Sequence, residues 1–444
     1  MHSEQVAELA NQLQEGPVVP PIPTHIRDTG LPEAMVEQLI LKTLYFRNET
    51  LGRDLARSLG LRFSVIEEMI EFLKRQHLVG VRRSMGMGSI SAIYALTDAG
   101  RLHAREYLEQ NQYAGKAPVP MAQYTEVVRA QRRKDSWLTM EHLVNAYAHM
   151  VTTPRMLTQL GPAINAGKSF LVYGQPGNGK TYLAEALCDI ESDPIYLPYA
   201  IECQGLIIQL YDPVYHKPIS DDDDEIRAMA FEPDFDTRWF KTKRPFIVSG
   251  GELSLEVLDL SYNTVSKFYD APLQLKANNG IYLLDDFGRQ KCSPAEILNR
   301  WIVPMERHVD YLTFQNGAKV NVPFEAFLIF STNLRPDQLG DEAFLRRISY
   351  KMLMRNPGED EFVQIFHRYA DQHQLDYTEE IIQRFMETHY RSTRRERRRC
   401  HPRDVINHAM DLIRFERRPW ELNDEVLHLA FESVFVHDEH EEDD

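Results

Sequence analysis

Residues Gly174-Gln-Pro-Gly-Asn-Gly-Lys-Thr181 have the types and spacing that phosphate chemistry needs. They fit the pattern GxxxxGK[ST], with Gly174, Gly179, Lys180 and Thr181 at its fixed positions. Glycines let a backbone approach a phosphate chain at dihedral angles other residues avoid. Gln175, Pro176, Gly177, Asn178 and Tyr182 complete the candidate nucleotide-binding set. Lys180 is placed to bridge β- and γ-phosphates, and Thr181 to ligate Mg²⁺. An apolar stretch, Phe170 to Tyr173, feeds the loop as a buried strand, and Tyr182-Leu-Ala-Glu-Ala-Leu187 leaves it as a helix. That context presents backbone N–H groups and a helix start to the ligand.

A second segment, Gly280-Ile-Tyr-Leu-Leu-Asp-Asp-Phe-Gly288, is an apolar strand ending in two carboxylates. Asp285 is the candidate to hold Mg²⁺ indirectly, and Asp286 the candidate to polarise an attacking water. A third buried strand, Ala326-Phe-Leu-Ile-Phe-Ser-Thr-Asn333, also ends in a polar residue. Asp341-Glu-Ala-Phe-Leu-Arg-Arg-Ile348 places Arg346 and Arg347 just beyond a short helix, and Cys400-His-Pro-Arg-Asp404 starts another.

With these five elements in this order, residues 137–436 resemble the AAA+ ATPases. The resemblance implies that Asn333 orients the hydrolytic water as the sensor 1 residue. It implies that Arg346 or Arg347 is an arginine finger reaching a neighbouring subunit's site. Arg403 matches the sensor 2 arginine of the lid. The catalytic set is then Asp286, Asn333, Arg346, Arg347 and Arg403. The metal residues are Thr181 and Asp285, and the cofactors are ATP and Mg²⁺. Many members carry Asp-Glu where this chain has Asp285-Asp286. The Asp-Asp form is also familiar in initiators and helicase loaders, and a MoxR-like core is similar too. The implied partner is the chain itself, in a ring-forming homo-oligomer with a hexamer as the expected form. An unknown protein client is the second implied partner, and DNA the alternative.

The fold that must position these residues is α/β: a P-loop AAA+ core with a parallel sheet flanked by helices, a C-terminal helical lid and a small N-terminal winged helix-turn-helix. Residues 1–30 read as a helix, over Ser3 to Leu13, and a Pro-rich tether, and 31–112 as the winged helix. Residues 113–136 read as a linker carrying Gly115, Pro118 and Pro120. The nucleotide-binding core spans 137–357, the lid 358–436 and an acidic tail 437–444. The 104 residues from Thr181 to Asp285 exceed what a simple crossover of ~30 needs, so an insertion is placed at about 205–275. It holds the acidic run Ser220-Asp-Asp-Asp-Asp-Glu225, and Ile247 to Leu255 as a projecting hairpin or loop.

The 444 residues carry a net charge of −16, which excludes a protein coating nucleic acid with its whole surface. Four scattered cysteines make no CxxC pair, so neither disulfide staples nor a zinc site is expected. No apolar run approaches the ~20 residues of a membrane span. The N-terminal residues lack a signal-peptide pattern, so the expected location is cytoplasmic and no membrane partner is expected. Six arginines in nine residues, Arg391 to Arg399, suit nucleic-acid phosphates or an acidic neighbouring subunit.

Within 31–112, Thr50 is the expected cap of a second helix. Ser64 and Glu67 are the expected capping box of a third. That third helix exposes Glu67, Glu68 and Glu71 before Lys74 and Arg75, so its face repels phosphate. Residues 31–112 alone are therefore expected to bind duplex DNA only in the non-specific range of ~10⁻⁴–10⁻⁶ M at physiological salt. A salt-series titration tests this. Tight, sequence-specific binding would make DNA the primary partner.

Overall fold

The computed structural model describes residues 18–133, 138–190, 193–219, 234–340 and 345–435. The chain divides into two compact units. One comprises Met1–Lys134, Ser192–Leu283 and Gln290–Leu328; the other comprises Asp135–Glu191, Leu284–Arg289 and Ile329–Asp444. The expected helix over residues 3–13, the acidic run at 220–225 and the acidic tail lie outside the described residues. No helix among the described residues is long and apolar enough to cross a membrane.

The first unit opens with α1 (Glu33–Arg47), β1 (Glu49–Leu51), α2 (Gly52–Leu59) and α3 (Phe63–Arg75). Then come β2 (Val79–Ser84), β3 (Ala92–Leu96) and α4 (Asp98–Gln110). Ile66, Met69, Ile70 and Leu73 of α3 are buried, as helical spacing requires. The three strands form an antiparallel sheet in the order β1-β3-β2. Two expected caps are absent. Thr50 pairs with Tyr94 inside β1, so Leu51 becomes the cap of α2. The α3 helix starts one residue before Ser64, with Arg62 as a cap that makes no side-chain bond. Thr97, by contrast, caps α4 by accepting from the Gly100 N–H at 3.0 Å.

Residues 119–130, taken from composition as linker, hold β4 (Val119–Pro120) and α5 (Met121–Ala130). Tyr124, Val127 and Val128 of α5 are buried in the unit's core. Pro120 directly precedes the helix and leaves its first turn intact.

The chain next supplies α6 (Met140–Ala146), α7 (Pro154–Ala166), β5 (Phe170–Tyr173) and α8 (Lys180–Glu185) to the second unit. It then returns to the first with β6 (Ile195–Pro198), β7 (Ala200–Cys203), β8 (Leu206–Gln209), β9 (Trp239–Thr242) and β10 (Phe246–Ser249). After these come β11 (Ser261–Asn263), β12 (Phe268–Asp270) and β13 (Ile281–Leu284). Helix α9 (Pro294–Arg307) and the hairpin of β14 (Val309–Thr313) and β15 (Lys319–Pro323) follow. The extra length before Asp285 is therefore a folded layer, with a sheet ordered β11-β12-β8-β7-β4. Only the start of the Ile247 to Leu255 stretch is strand, and Gly251, Glu252 and Leu255 beyond it are exposed. The first residues form β10, a neighbour of β13, with Ile247 and Ser249 buried. An ion pair anchors this layer: Arg238 and Asp236 are both 2% exposed, 2.8 Å apart, and Arg238 also donates to the Thr29 carbonyl.

The remaining elements are β16 (Phe327–Thr332), α10 (Pro336–Leu339), β17 (Tyr350–Leu353), α11 (Glu359–Gln372), α12 (Glu379–Met386), α13 (His401–Glu416) and α14 (Asp424–Val434). In the second unit β5 lies between β16 and β17 and is parallel to both. Register aligns Thr332 and Leu353 with Tyr173, so three strands end at one level. The last four helices share a core that includes Phe362, Phe366, Phe385, Ile406 and Phe431.

Lys42 is a buried charge of the first unit. It is 1% exposed and donates to Asn111 Oδ1 at 2.6 Å, with no ion-pair partner among the described residues. Burial pushes its ammonium down to about 8 from 10.5. Between those values the unfolded chain binds more protons, so stability rises with pH across that window. Lys42→Met is expected to raise stability at pH 7 by about 1–3 kcal/mol, with a smaller gain near pH 10. Urea denaturation at both pH values checks this; a loss of stability at pH 7 contradicts it.

Candidate functional site

The parallel register sets the site, because open α/β sheets bind ligands beyond the carboxyl ends of their strands. At that level β5 gives way to Gly174, whose N–H donates to the Thr332 carbonyl at 3.3 Å. Gly174 has φ +147, and an added Cβ would sit 2.3 Å from the Met354 carbonyl oxygen. No side chain fits there. Gly177 (φ +79) is equally confined, because a Cβ added to it would meet Cys400 Sγ at 2.6 Å. Gln175, Pro176 and Gly177 form the exposed rim of the loop, while Asn178 is fully buried. Gly179, in the left-handed region, turns the chain into α8.

Lys180 is 7% exposed and curls back over its own loop. Its Nζ donates to the carbonyls of Gly174 and Gln175, both at 3.0 Å, and to Asn333 Oδ1 at 2.6 Å. Burial lowers the pKa of its ammonium, while Asp285 and Asp286 act in the opposite direction. Thr181 Oγ1 donates to Asp285 Oδ2 at 2.8 Å. Asn333 Nδ2 donates to Asp286 Oδ1 at 3.1 Å. Five residues named from three separate sequence segments thus converge in one hydrogen-bonded group. Asp286 has φ +48, an uncommon backbone state for a non-glycine residue. The turn is held on both sides: the Phe287 N–H donates to the Ser331 carbonyl, and Thr332 Oγ1 donates to the Phe287 carbonyl. Tyr182 is exposed and meets the His149 ring edge-on at 5.1 Å.

The arginines are placed differently. Arg346 and Arg347 are exposed just ahead of β17. Arg346 makes no hydrogen bond or ion pair among the described residues, and the Arg347 carbonyl accepts from Ser169 Oγ. Arg403 is paired with its neighbour Asp404 at 2.8 Å.

Most of the Arg391–Arg399 cluster is used inside the chain. Arg391 and Arg397 both pair with Glu359, Arg399 pairs with Glu361, and Arg395 lies over the Phe435 ring at 4.4 Å. The sequence reading missed the connection from this segment to the loop. The Cys400 N–H donates to the Gly177 carbonyl at 2.8 Å, and the Arg399 N–H to Asn178 Oδ1 at 3.3 Å. Asn178 Nδ2 in turn donates to Asn356 Oδ1 at 2.7 Å. Only the confined glycine at 177 hinted at a close neighbour.

The family model that matches the chain covers residues 358–433 and is described as a domain of unknown function, DUF8689. No curated protein matches. Among solved structures, NtrX from Brucella abortus in complex with ADP aligns at TM-score 0.40 and 14% identity, over 68% of this chain and 60% of that one. NtrX in complex with ATP aligns at TM-score 0.36 and 14% identity, over 83% and 69%. A proline-to-glycine mutant of RuvB from Thermotoga maritima aligns at TM-score 0.34 and 13% identity, over 69% and 75%. The chain spans 55% and 60% of the first two NtrX structures it matches.

Proposed function

We propose that this chain is an AAA+-type ATPase that binds Mg-ATP on the Gly174–Tyr182 loop and hydrolyses it to remodel a protein client. The observation that carries the reading is the continuous path from Lys180 through Asn333 to Asp286, beside the Thr181–Asp285 pair. Lys180 supplies the cation for the β- and γ-phosphates, and the glycine loop supplies backbone donors around them. Asn333 holds Asp286 in place and orients a water between the two. Asp286 accepts that water's proton as its oxygen bonds to the γ-phosphorus and the bond to the ADP oxygen breaks. Thr181 and Asp285 are hard oxygen donors of the kind Mg²⁺ takes alongside substrate phosphates. When bound, the ion would neutralise charge on the phosphates.

In this reading Arg346 and Arg347 serve the site of a neighbouring subunit in a homo-oligomeric ring. Their exposure, and the lack of a partner for the Arg346 guanidinium among the described residues, support that use. The first unit's helices and small sheet are read as a winged helix that docks a protein partner. Its α3 face keeps Glu68 exposed, and the Glu71 carboxylate is occupied by Lys74 at 2.8 Å.

Lys180→Ala is expected to abolish ATP binding, whereas Asp286→Asn keeps binding and lowers turnover by at least ~10²-fold. Isothermal titration with a phosphate-release assay separates the two, and parental turnover by Asp286→Asn removes the catalytic assignment. Specific activity is also expected to rise with protein concentration as subunits assemble. Adding the Arg346→Ala, Arg347→Ala double variant to the parent should depress it further than dilution alone; a concentration-independent monomer contradicts the shared site.

A further inference from the structure

We infer that Arg398 is a phosphate-contacting residue of this site, presented to the loop by the Arg398–Cys400 segment. The inference rests on the ATP reading above and adds a residue that the sequence motifs do not assign. Three observations converge on it.

The first is position. Two backbone-anchored bonds, Cys400 N–H to the Gly177 carbonyl and Arg399 N–H to Asn178 Oδ1, hold the segment against the loop. They leave Arg398 Cδ 3.6 Å from the point where a Cβ on Gly177 would stand. The second is pairing. Arg391, Arg397 and Arg399 each engage a carboxylate and Arg395 stacks on aromatic rings. The half-buried Arg398 side chain makes no hydrogen bond or ion pair among the described residues. A guanidinium has five donors in a planar fork that suits phosphate oxygens. The third is charge. Arg398 acts on Lys180 as a like charge and lowers its pKa alongside burial. A phosphate chain on the loop converts that repulsion into two attractions.

Arg403 is the competing arginine. Its side chain is 58% exposed and already donates twice to Asp404 Oδ1, from Nη2 at 2.8 Å and Nε at 2.9 Å. Its charge is therefore partly neutralised before any ligand arrives, whereas that of Arg398 is not.

The test compares Arg398→Gln, Arg398→Lys and Arg403→Gln in the full chain. Affinities are measured for Mg-ATP and for inorganic tripolyphosphate, which has the phosphates without base or ribose. Arg398→Gln is expected to weaken both ligands about ten- to a hundred-fold, the range of a charge-assisted hydrogen bond. Arg398→Lys is expected to recover part of the loss, because it restores charge without the fork. The ligand-free melting temperature of Arg398→Gln should match the parent, since the side chain has no ion pair to lose. Parental affinity in Arg398→Gln overturns the inference. So does a loss confined to Arg403→Gln, or a loss that comes with a lowered ligand-free melting temperature. If the parent chain binds neither ATP nor tripolyphosphate, the ATPase reading fails before Arg398 is at issue.

Discussion

The alignment of three parallel strands controls the second unit. Because β16 and β17 both pair with β5 in parallel, their hydrogen-bond registers bring Thr332 and Leu353 level with Tyr173. Asn333 and the Gly174 loop hang from that common edge, while Asp285 and Asp286 follow β13. Asn333 is the first residue past β16 and Gly174 the first past β5, so the distance from Asn333 to Lys180 is a matter of register. A slip of one residue along a strand turns every side chain to the opposite face and would bury Asn333's neighbours wrongly. The apolar character of Phe170–Val172 and Leu328–Phe330, buried throughout, resists such a slip.

Around that edge, close approach does the remaining positioning. Gly174 is pressed against the Met354 carbonyl and Gly177 against Cys400, so the loop is shaped from outside as well as by its own dihedral angles. Lys180 is desolvated by this packing, and it is kept usable because two carbonyls and Asn333 satisfy its three donors. A buried ammonium without those acceptors would carry a large desolvation cost. The same logic separates two charges of the first unit. Arg238 is fully buried with Asp236 and the Thr29 carbonyl as partners, a type of pair whose disruption costs about 3–5 kcal/mol. Lys42 has one amide oxygen, and its pKa falls accordingly.

The arginine-rich segment shows how little a run of like charges says about its use. Six arginines in nine residues suggested an outward-facing basic patch. In the fold, Glu359 alone takes two of them, Glu361 takes a third and aromatic rings take a fourth. A strip that looks uniform in sequence is thus divided, with four of its six arginines taken by acids and rings of the chain.

The sequence by itself determined what depends on short stretches of chain. The glycine pattern before Lys180 requires a tight loop, the apolar runs before Asp285 and Asn333 require buried strands, and the spacing of Ile66, Met69, Ile70 and Leu73 requires a helix. These follow from local sterics and periodicity, and the structure brings the motif residues of all three segments together. Tertiary structure alone decided what depends on partners far away in the chain. Thr50 left its cap because Tyr94 offered a strand pairing, and residues 119–130 became strand and helix because β7 and the core around Tyr124 lay waiting for them. The stretch before Asp285 became sheet for the same reason. Arg398 is set apart from the other arginines of its run by Gly177, more than two hundred residues earlier, which lies close to it. Local pattern fixes an element where its apolar spacing is strong; elsewhere the element, and the partner each side chain finds, is a property of the assembled neighbours, and no window of sequence contains them.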